Sequence, residues 1–372
     1  MELGAEGQSL TAKDQLFILT QAGLYLTATR GLASPEARIC WERAEPLCRS
    51  LDHPLLLYSA LAGQWRYSFM TDKLTTTMQI AERIYSLAQE QNNSALMIGA
   101  HGYLGATLYF FGDFETAQQN TFRGLQIWRS GGAHFPVEDF IAPPLHCLLY
   151  LALSEWHLGQ VASCQQAMAE AISLAKQLHD TQASVYLLYW SAFLAYFEAN
   201  LAETERLASD LLERCSRLNF ANWLPHARIL RGWVRSASGD LTLGISWIEE
   251  GVEDYRAAAI LALPFFLSLK ARALHLAGRA SEALELIEEA KAVVERSGAR
   301  LWCAELHRLR GVFLTAMGAE ETQIEASFQA AISTAKEQKL ISLEKRAEAT
   351  HAEYRSQRAS GSGGRGFRLA LW

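Results

Sequence analysis

The sequence predicts an all-α protein: a right-handed superhelical solenoid of about eight antiparallel helix pairs, with a period of about 40 residues. Three observations lead to this fold class. A helical hairpin lies between Ser94 and Trp128, the same pattern recurs along the chain, and turn residues occur where each hairpin needs one. A charged closing helix near residues 340–357 and a flexible tail complete the prediction.

The segment Ser94–Trp128 contains two amphipathic helices joined by a short turn. Asp113 can cap the second helix, because its carboxylate can accept the free N–H groups of the first helical turn. In that helix Ala117, Thr121 and Gly124 recur at four and three residues, so one face is small enough for two helix axes to approach closely. A single hairpin of this kind cannot bury its apolar face alone, which predicts a stacked array.

The hairpin recurs about every 40 residues, with one longer step of about 47 residues. The positions equivalent to Gly124 are Ala44, Ile84, Ala171, Leu211, Gly251, Ala290 and Ala331. Turn signals occur at Gly159, Gly239, Gly278 and Gly318. The longer step falls in residues 131–140, whose apolar side chains indicate either a surface insertion or a functional loop packed on the superhelix.

Composition excludes several classes of protein. Half of the 372 residues are hydrophobic, and the net charge of −6 is spread over both signs, so nothing draws the chain to nucleic acid or to an anionic membrane. The six cysteines form no C-x-x-C pair, which favours free thiols in a reducing cytosol. No signal peptide begins the sequence, and the uncharged run 183–197 is too short to span a bilayer. We therefore expect a cytoplasmic protein without metal or cofactor.

The domain organisation follows from the same patterns. We expect a disordered N-terminus over residues 1–10, the helical repeat domain over residues 11–357, and a Gly/Ser-rich tail over residues 358–372. The tip of this tail is apolar and basic, a composition that should not stand free in water. Its motif consists of Phe367, Arg368, Leu369 and Trp372.

Several segments resemble the tetratricopeptide-repeat (TPR-like) C-terminal region of large bacterial signalling proteins. In those proteins an adenylate/guanylate cyclase domain or a winged-helix regulator precedes an ATPase module and then the repeats. The segments that carry the resemblance are Tyr109–Phe114, Leu151–Gly159, Ile229–Trp233, Ala304–Gly311 and Gly363–Leu369. The resemblance covers essentially the whole chain. It implies a role in signal transduction beside a cyclase or ATPase module, in cis or in trans.

Enzymatic activity is not expected from these residues. No G-x-x-x-x-G-K-[ST] motif is present, so any ATPase or cyclase activity would lie in domains that this chain lacks. His146 and Cys147 are adjacent, and neighbours on a helix point in different directions, which disfavours a nucleophile–base pair. Glu155 and His157 have no further His or Cys at ligand spacing, which disfavours a metal site.

The most informative pattern is a series of aromatic and basic residues on the first helix of each pair, which in such solenoids lines the concave groove. Aromatic rings with polar atoms, followed by arginines, are suited to anchoring a peptide. The candidate groove residues are His146, Trp156, Tyr186, Tyr189, Tyr196, His226, Trp233, Arg272, His275 and Arg308. The alternative is that long helices bury these rings between repeats, and we favour burial for Phe193 and Trp233.

Three functions remain open from the sequence. The first is a non-catalytic scaffold that binds a peptide or a partner domain in the concave groove. The second is a regulatory or sensor segment of a cyclase–ATPase or transcription-regulator protein, with the tail docking into the groove. The third is a sensor that binds a small effector among the aromatic rings.

Overall fold

The computed structural model describes residues 10–131, 141–218 and 220–359, and within these ranges the chain forms seventeen α-helices and no strand. The helices form eight consecutive antiparallel pairs followed by one closing helix, which confirms the predicted all-α solenoid. The expectations for the N-terminal residues 1–9, the long connection 132–140 and the tail motif concern residues outside these ranges.

Each pair consists of an inner and an outer helix. The pairs are α1 Ala12–Arg30 and α2 Pro35–Ser50, α3 Pro54–Thr71 and α4 Leu74–Glu90, α5 Ser94–Phe111 and α6 Phe114–Gly131, α7 Pro143–His157 and α8 Val161–Gln177, α9 Thr181–Phe197 and α10 Leu201–Leu218, α11 Leu224–Ala237 and α12 Leu241–Ala258, α13 Leu263–Leu276 and α14 Ala280–Ser297, and α15 Cys303–Ala316 and α16 Glu321–Glu337. Helix α17, Ile341–Ala359, follows them.

Small residues set the close contact within each pair, as the sequence predicts. A Cβ atom added at Gly105 in α5 would lie only 2.3 Å from the Cγ2 atom of Thr121 in α6. A Cβ atom added at Gly232 in α11 would lie 2.7 Å from the carbonyl oxygen of Gly244 in α12. At Gly232 a larger side chain would force the helices apart, because the backbone of α12 cannot move aside; at Gly105 it would collide with the buried side chain of Thr121.

Polar side chains begin several helices. The carboxylate of Asp113 accepts a hydrogen bond from the backbone N–H of Thr116 at 3.2 Å, which confirms its predicted capping of α6. The hydroxyl of Ser34 and the carboxylate of Asp180 cap α2 and α9 in the same way. These bonds satisfy N–H groups that have no partner within their own helix.

The superhelix winds tightly enough for distant repeats to touch. The backbone N–H of Ile260, after α12, donates to the carbonyl oxygen of Met70 in α3 at 2.9 Å. The ammonium group of Lys339, before α17, lies 2.6 Å from the carboxylate of Glu115 at the start of α6. The inner face is therefore enclosed over part of its length, where the sequence alone predicts an open groove.

Helix α17 does more than cover the last repeat. The hydroxyl of Ser342 donates to the carbonyl oxygen of Trp156 at the end of α7, at 3.1 Å. The guanidinium of Arg346 donates to the carbonyl oxygen of Phe197 at the end of α9, also at 3.1 Å. The closing helix thus lies against the ends of inner helices from the middle of the chain and donates side-chain hydrogen bonds to carbonyl groups of their last turns.

Candidate functional site

A cavity of about 750 Å³ lies on the inner side of the superhelix. Its wall combines the C-terminal half of α3, the middle of α5, the N-terminal halves of α7, α9 and α11, and residues 257–262, which comprise the end of α12 and the turn before α13. The turn 32–36 between α1 and α2 contributes to its rim. The hydrogen bond between Ile260 and Met70 joins two of these segments and keeps this part of the wall closed. The volume is typical of sites that bind small molecules or short segments of chain.

One side of the cavity is built from rings of α3, α5 and α7. The indole of Trp65 lies 4.6 Å from the ring of Tyr103 and 5.9 Å from that of His146, between ring centroids. His146 in turn meets Tyr150 edge to face at 5.0 Å. Edge-to-face and tilted contacts of this kind hold aromatic rings in fixed orientations, so this wall is preorganised.

The opposite side is built from rings of α9, α11 and α12. His226 meets Tyr189 at 4.7 Å, Trp223 at 5.0 Å and Tyr255 at 5.2 Å. The hydroxyl groups of Tyr150 and Tyr186 lie 3.0 Å apart and connect the two sides. The cavity is therefore bounded by polarisable rings with a few polar atoms among them.

The buried rings of His226, Tyr186 and Tyr189 in the wall are uncharged at physiological pH. Burial lowers the pKa of His226 to about 3, so its imidazole carries no charge. Burial raises the pKa of Tyr186 to about 12 and raises the pKa of Tyr189 well above its ordinary value, so both phenols remain protonated. These groups can exchange hydrogen bonds with a ligand, but they cannot supply an ionic partner.

Charged side chains lie mainly where the cavity meets solvent. Arg30 forms an ion pair with Glu36, and both side chains are at least half exposed. Arg228 forms an ion pair with Asp254 at 2.8 Å. Arg66 is the exception, because it is buried in the wall and donates to the hydroxyl of Tyr103 at 3.4 Å. A guanidinium in the wall disfavours a cationic ligand and is compatible with neutral or anionic ligands.

The structure brings four of the ten predicted groove residues together at this cavity: His146, Tyr186, Tyr189 and His226. The other six do not line the cavity, so the prediction that they lie on a groove surface is corrected. They are Trp156, Tyr196, Trp233, Arg272, His275 and Arg308. The physical reason is the tight winding of the superhelix, which packs α17 against the ends of α7 and α9 and α13 against α9, and leaves no groove there.

Most of these six belong to a packed interior around one carboxylate. Arg308 donates twice to the carboxylate of Glu305, at 2.6 and 2.8 Å, and both residues are buried. The guanidinium of Arg272 lies 4.4 Å from the ring centroid of Trp233 and donates to the hydroxyl of Tyr196. Burial of Trp233 and Phe193, which the sequence favours, is confirmed, with 0% and 1% of their surfaces exposed.

The remaining two residues pack at helix ends. Trp156 lies against Phe197 with ring centroids 4.8 Å apart, under the start of α17. His275 lies against Phe313 at 5.0 Å, and burial lowers its pKa. Neither ring faces the cavity, so neither is available to a ligand held there.

Several cavity residues were missed in the sequence. Trp65, Tyr103 and Tyr150 lie on the first helices of their pairs, but at positions other than those of the predicted series, so extending its register would not have found them. Trp223 lies in a short 3-10 turn before α11, and Tyr255 lies on the outer helix α12. Helical periodicity does not predict that Trp223 and Tyr255 line the cavity, because it is the winding of the superhelix that brings them to the wall.

The described residues offer no metal centre, since no three His, Cys, Asp or Glu side chains among them are grouped to hold an ion. Cys147 is buried beside the cavity wall, and burial raises the pKa of its thiol, which keeps it unreactive. No helix in the described ranges is long and apolar enough to cross a membrane.

Comparisons with known proteins identify the class of fold. No family model matches the chain. A curated relative, the uncharacterized protein R02095 of Rhizobium meliloti (strain 1021), is 24% identical over 355 residues, which are 92% of this chain and 34% of that protein. The chain therefore spans about a third of the length of the curated relative it matches.

Solved structures of helical repeat proteins superpose along nearly the whole chain. A Rap protein complexed with competence and sporulation factor gives a TM-score of 0.60 at 12% identity and covers 93% of this chain and 100% of that one. NprR in complex with its cognate peptide NprX gives 0.58 at 11% identity, covering 84% of this chain and 88% of that one. The chain shares the fold of these TPR-like helical repeat proteins.

Proposed function

We propose that this chain is a non-catalytic receptor module that takes a short peptide into the aromatic cavity. The observation that carries the proposal is the size and lining of the cavity: segments from distant repeats meet at Ile260 and Met70 and border an aromatic space of about 750 Å³ that remains open to solvent. That space is suited to a short segment of chain and is too small for a folded partner domain.

The chemistry of the wall supports an apolar or aromatic peptide. Rings such as Trp65, Tyr189 and Trp223 are held rigid by the packing of the wall, so contact with a ligand costs them little entropy. The phenols of Tyr150 and Tyr186 can exchange hydrogen bonds with the peptide backbone. The peptide complex of NprR, a protein of the same fold, supports this type of ligand.

A thermal-shift screen of short synthetic peptides tests the proposal. At about 100 times its dissociation constant, a ligand of the folded state adds about 2.7 kcal/mol. For a chain of 372 residues this raises the unfolding midpoint by about 3 °C. We expect such shifts from peptides with aromatic or branched apolar residues, and none from lysine-rich peptides of the same length. Shifts produced only by nucleotides or other small effectors, screened in parallel, would contradict a peptide receptor.

A second proposal concerns the setting of the module. Because the chain matches only 34% of its Rhizobium relative, we infer that it works beside another module, in a longer protein or in trans. The resemblance noted from the sequence suggests a cyclase or ATPase module controlled by occupancy of the cavity. The genomic reading frames on both sides of the coding sequence test this. A neighbouring frame that encodes a cyclase or a P-loop ATPase is expected, and unrelated neighbours would count against it.

A further inference from the structure

The charged side chains of the cavity lining are concentrated at its mouth. Among the described residues, the lining includes five Arg, Asp or Glu side chains. Four of them form two ion pairs where the cavity meets solvent: Arg30 with Glu36, and Arg228 with Asp254. The fifth, Arg66, is buried in the wall. A ligand that carries charged groups therefore meets exposed partners of both signs at the mouth of the cavity.

The two ion pairs lie close together. Gly31, in the turn between α1 and α2, packs against the side chain of Asn222, just before α11. A Cβ atom added at Gly31 would lie 2.2 Å from the Oδ1 atom of Asn222. Arg30 precedes Gly31 in the chain, and Arg228 follows Asn222 by six residues, which is about 9 Å along a helix. One short peptide can therefore reach both ion pairs.

In each ion pair one member is more exposed than the other. Glu36 lies in the first turn of α2, where the helix dipole favours an anion, and accepts a hydrogen bond from the hydroxyl of Ser34 at 3.0 Å. Its partner Arg30 is 58% exposed, against 50% for Glu36. In the second pair Asp254 is 53% exposed, against 37% for Arg228. The charges most accessible at the mouth are thus a cation at the end of α1 and an anion on α12.

These two charges are complementary to the ends of a free peptide. An unblocked peptide carries an ammonium and a carboxylate, whereas a segment within a longer partner chain carries neither. The buried rings of His226, Tyr186 and Tyr189 are uncharged and offer neither group an ionic partner, so the charged ends are unfavourable inside the cavity. Building on the peptide-receptor function, we propose that the ligand is a short free peptide with both ends at the mouth. Its C-terminal carboxylate binds Arg30, its N-terminal ammonium binds Asp254, and its middle residues lie among the rings.

Isothermal titration tests the proposal with a peptide selected by the thermal-shift screen and with its N-acetylated and C-amidated forms. Because exposed ion pairs contribute little in water, we expect each block to raise the dissociation constant by about threefold to fivefold at low salt, and by less at high salt. Blocked peptides that bind as tightly as the free peptide would overturn the proposal and leave the peptide receptor standing. If no peptide bound at all, the receptor function would fail as well.

Two substitutions assign each end of the peptide to its side chain. With Asp254→Asn, acetylation should no longer weaken binding, whereas amidation still should. With Arg30→Gln, the two effects should be exchanged. The matched control is Glu253→Gln, an exposed position on α12 outside the cavity lining, which should keep both effects. If acetylation weakened binding equally in Asp254→Asn and in the unmodified chain, the ammonium would lie elsewhere and the proposal would be overturned.

Discussion

Replacing Glu305 by glutamine is expected to lower the free energy of unfolding by about 3–5 kcal/mol. The carboxylate of Glu305 is the buried anion among three guanidinium groups: Arg308 at 2.6 Å, Arg346 at 4.0 Å, and Arg272 close enough to lower the pKa of Glu305. Its removal takes away the carboxylate that Arg308 and Arg346 pair with in the packed interior, and such a loss costs more than the ion pair itself contributes. Urea unfolding followed by circular dichroism measures the change.

The chain contains a matched control for this substitution. Glu203 and Arg206 on α10 have the same three-residue spacing and the same 2.6 Å separation, but their side chains are 38% and 62% exposed. Glu203→Gln is expected to change the free energy of unfolding by less than about 1 kcal/mol, because exposed ion pairs contribute little in water. Equal effects of the two substitutions would show that the Glu305 cluster is solvated and would contradict the packed interior described here.

The same cluster gives a dependence on pH. Burial alone would raise the pKa of Glu305, but the charges of Arg308, Arg346 and Arg272 and the hydrogen bonds from Arg308 lower it to about 2. A carboxyl group whose pKa is lowered in the folded state stabilises the fold above its unfolded pKa, near 4.5. This contribution is lost as the pH falls from about 4.5 towards 2. The unmodified chain should therefore lose stability more steeply in that interval than Glu305→Gln does.

Replacing Ala262 by tryptophan is expected to weaken peptide binding by about 100-fold or more, that is by about 2.7 kcal/mol. Ala262 lies in the cavity wall at the start of α13, so a large side chain there would occupy the space that the peptide needs. The backbone N–H of Ala262 donates to the hydroxyl of Tyr255 at 3.0 Å, a bond that the substitution leaves in place. Isothermal titration with a peptide selected by the thermal-shift screen measures the loss.

Two controls distinguish a blocked cavity from a general effect of the substitution. Ala202→Trp adds the same side chain at an exposed position on α10, outside the cavity wall, and is expected to leave peptide affinity unchanged. The unfolding midpoint of Ala262→Trp without peptide should stay within a few degrees of that of the unmodified chain, since the added ring fills existing space. Unchanged affinity in a folded Ala262→Trp protein would place the peptide elsewhere on the chain.

The repeat architecture could be predicted from the sequence because it depends on interactions between residues that are close in the chain. The small residues at Gly105 and Gly232 mark helix crossings, and Asp113 marks a helix start, so hairpins can be located without knowledge of the whole. The site depends on contacts between distant segments, such as Met70 with Ile260 and Trp156 with Ser342. Periodicity indicates which face of a helix turns inward, but it does not indicate how tightly the superhelix winds.

That difference explains the division of the predicted groove residues. Tyr189 and His226 face a part of the inner surface that stays open, whereas Arg272 and Arg308 face a part that α17 and its neighbours fill. Within a single helix the same division occurs, since Tyr189 lines the cavity and Tyr196, near the end of α9, lies in the packed core. What separates a ligand wall from a packed core is therefore set by contacts between segments more than a hundred residues apart.

Amide hydrogen exchange with and without a selected peptide tests the central claim, that the enclosed aromatic cavity is the binding site, most directly. We expect the peptide to slow exchange in the turns that form the wall, at residues 220–224 and 257–262, and at the end of α3 near Thr71. The outer helices α10 and α14 should show no change. Slower exchange confined to outer helices, or no change at the wall while the peptide is bound, would contradict the claim.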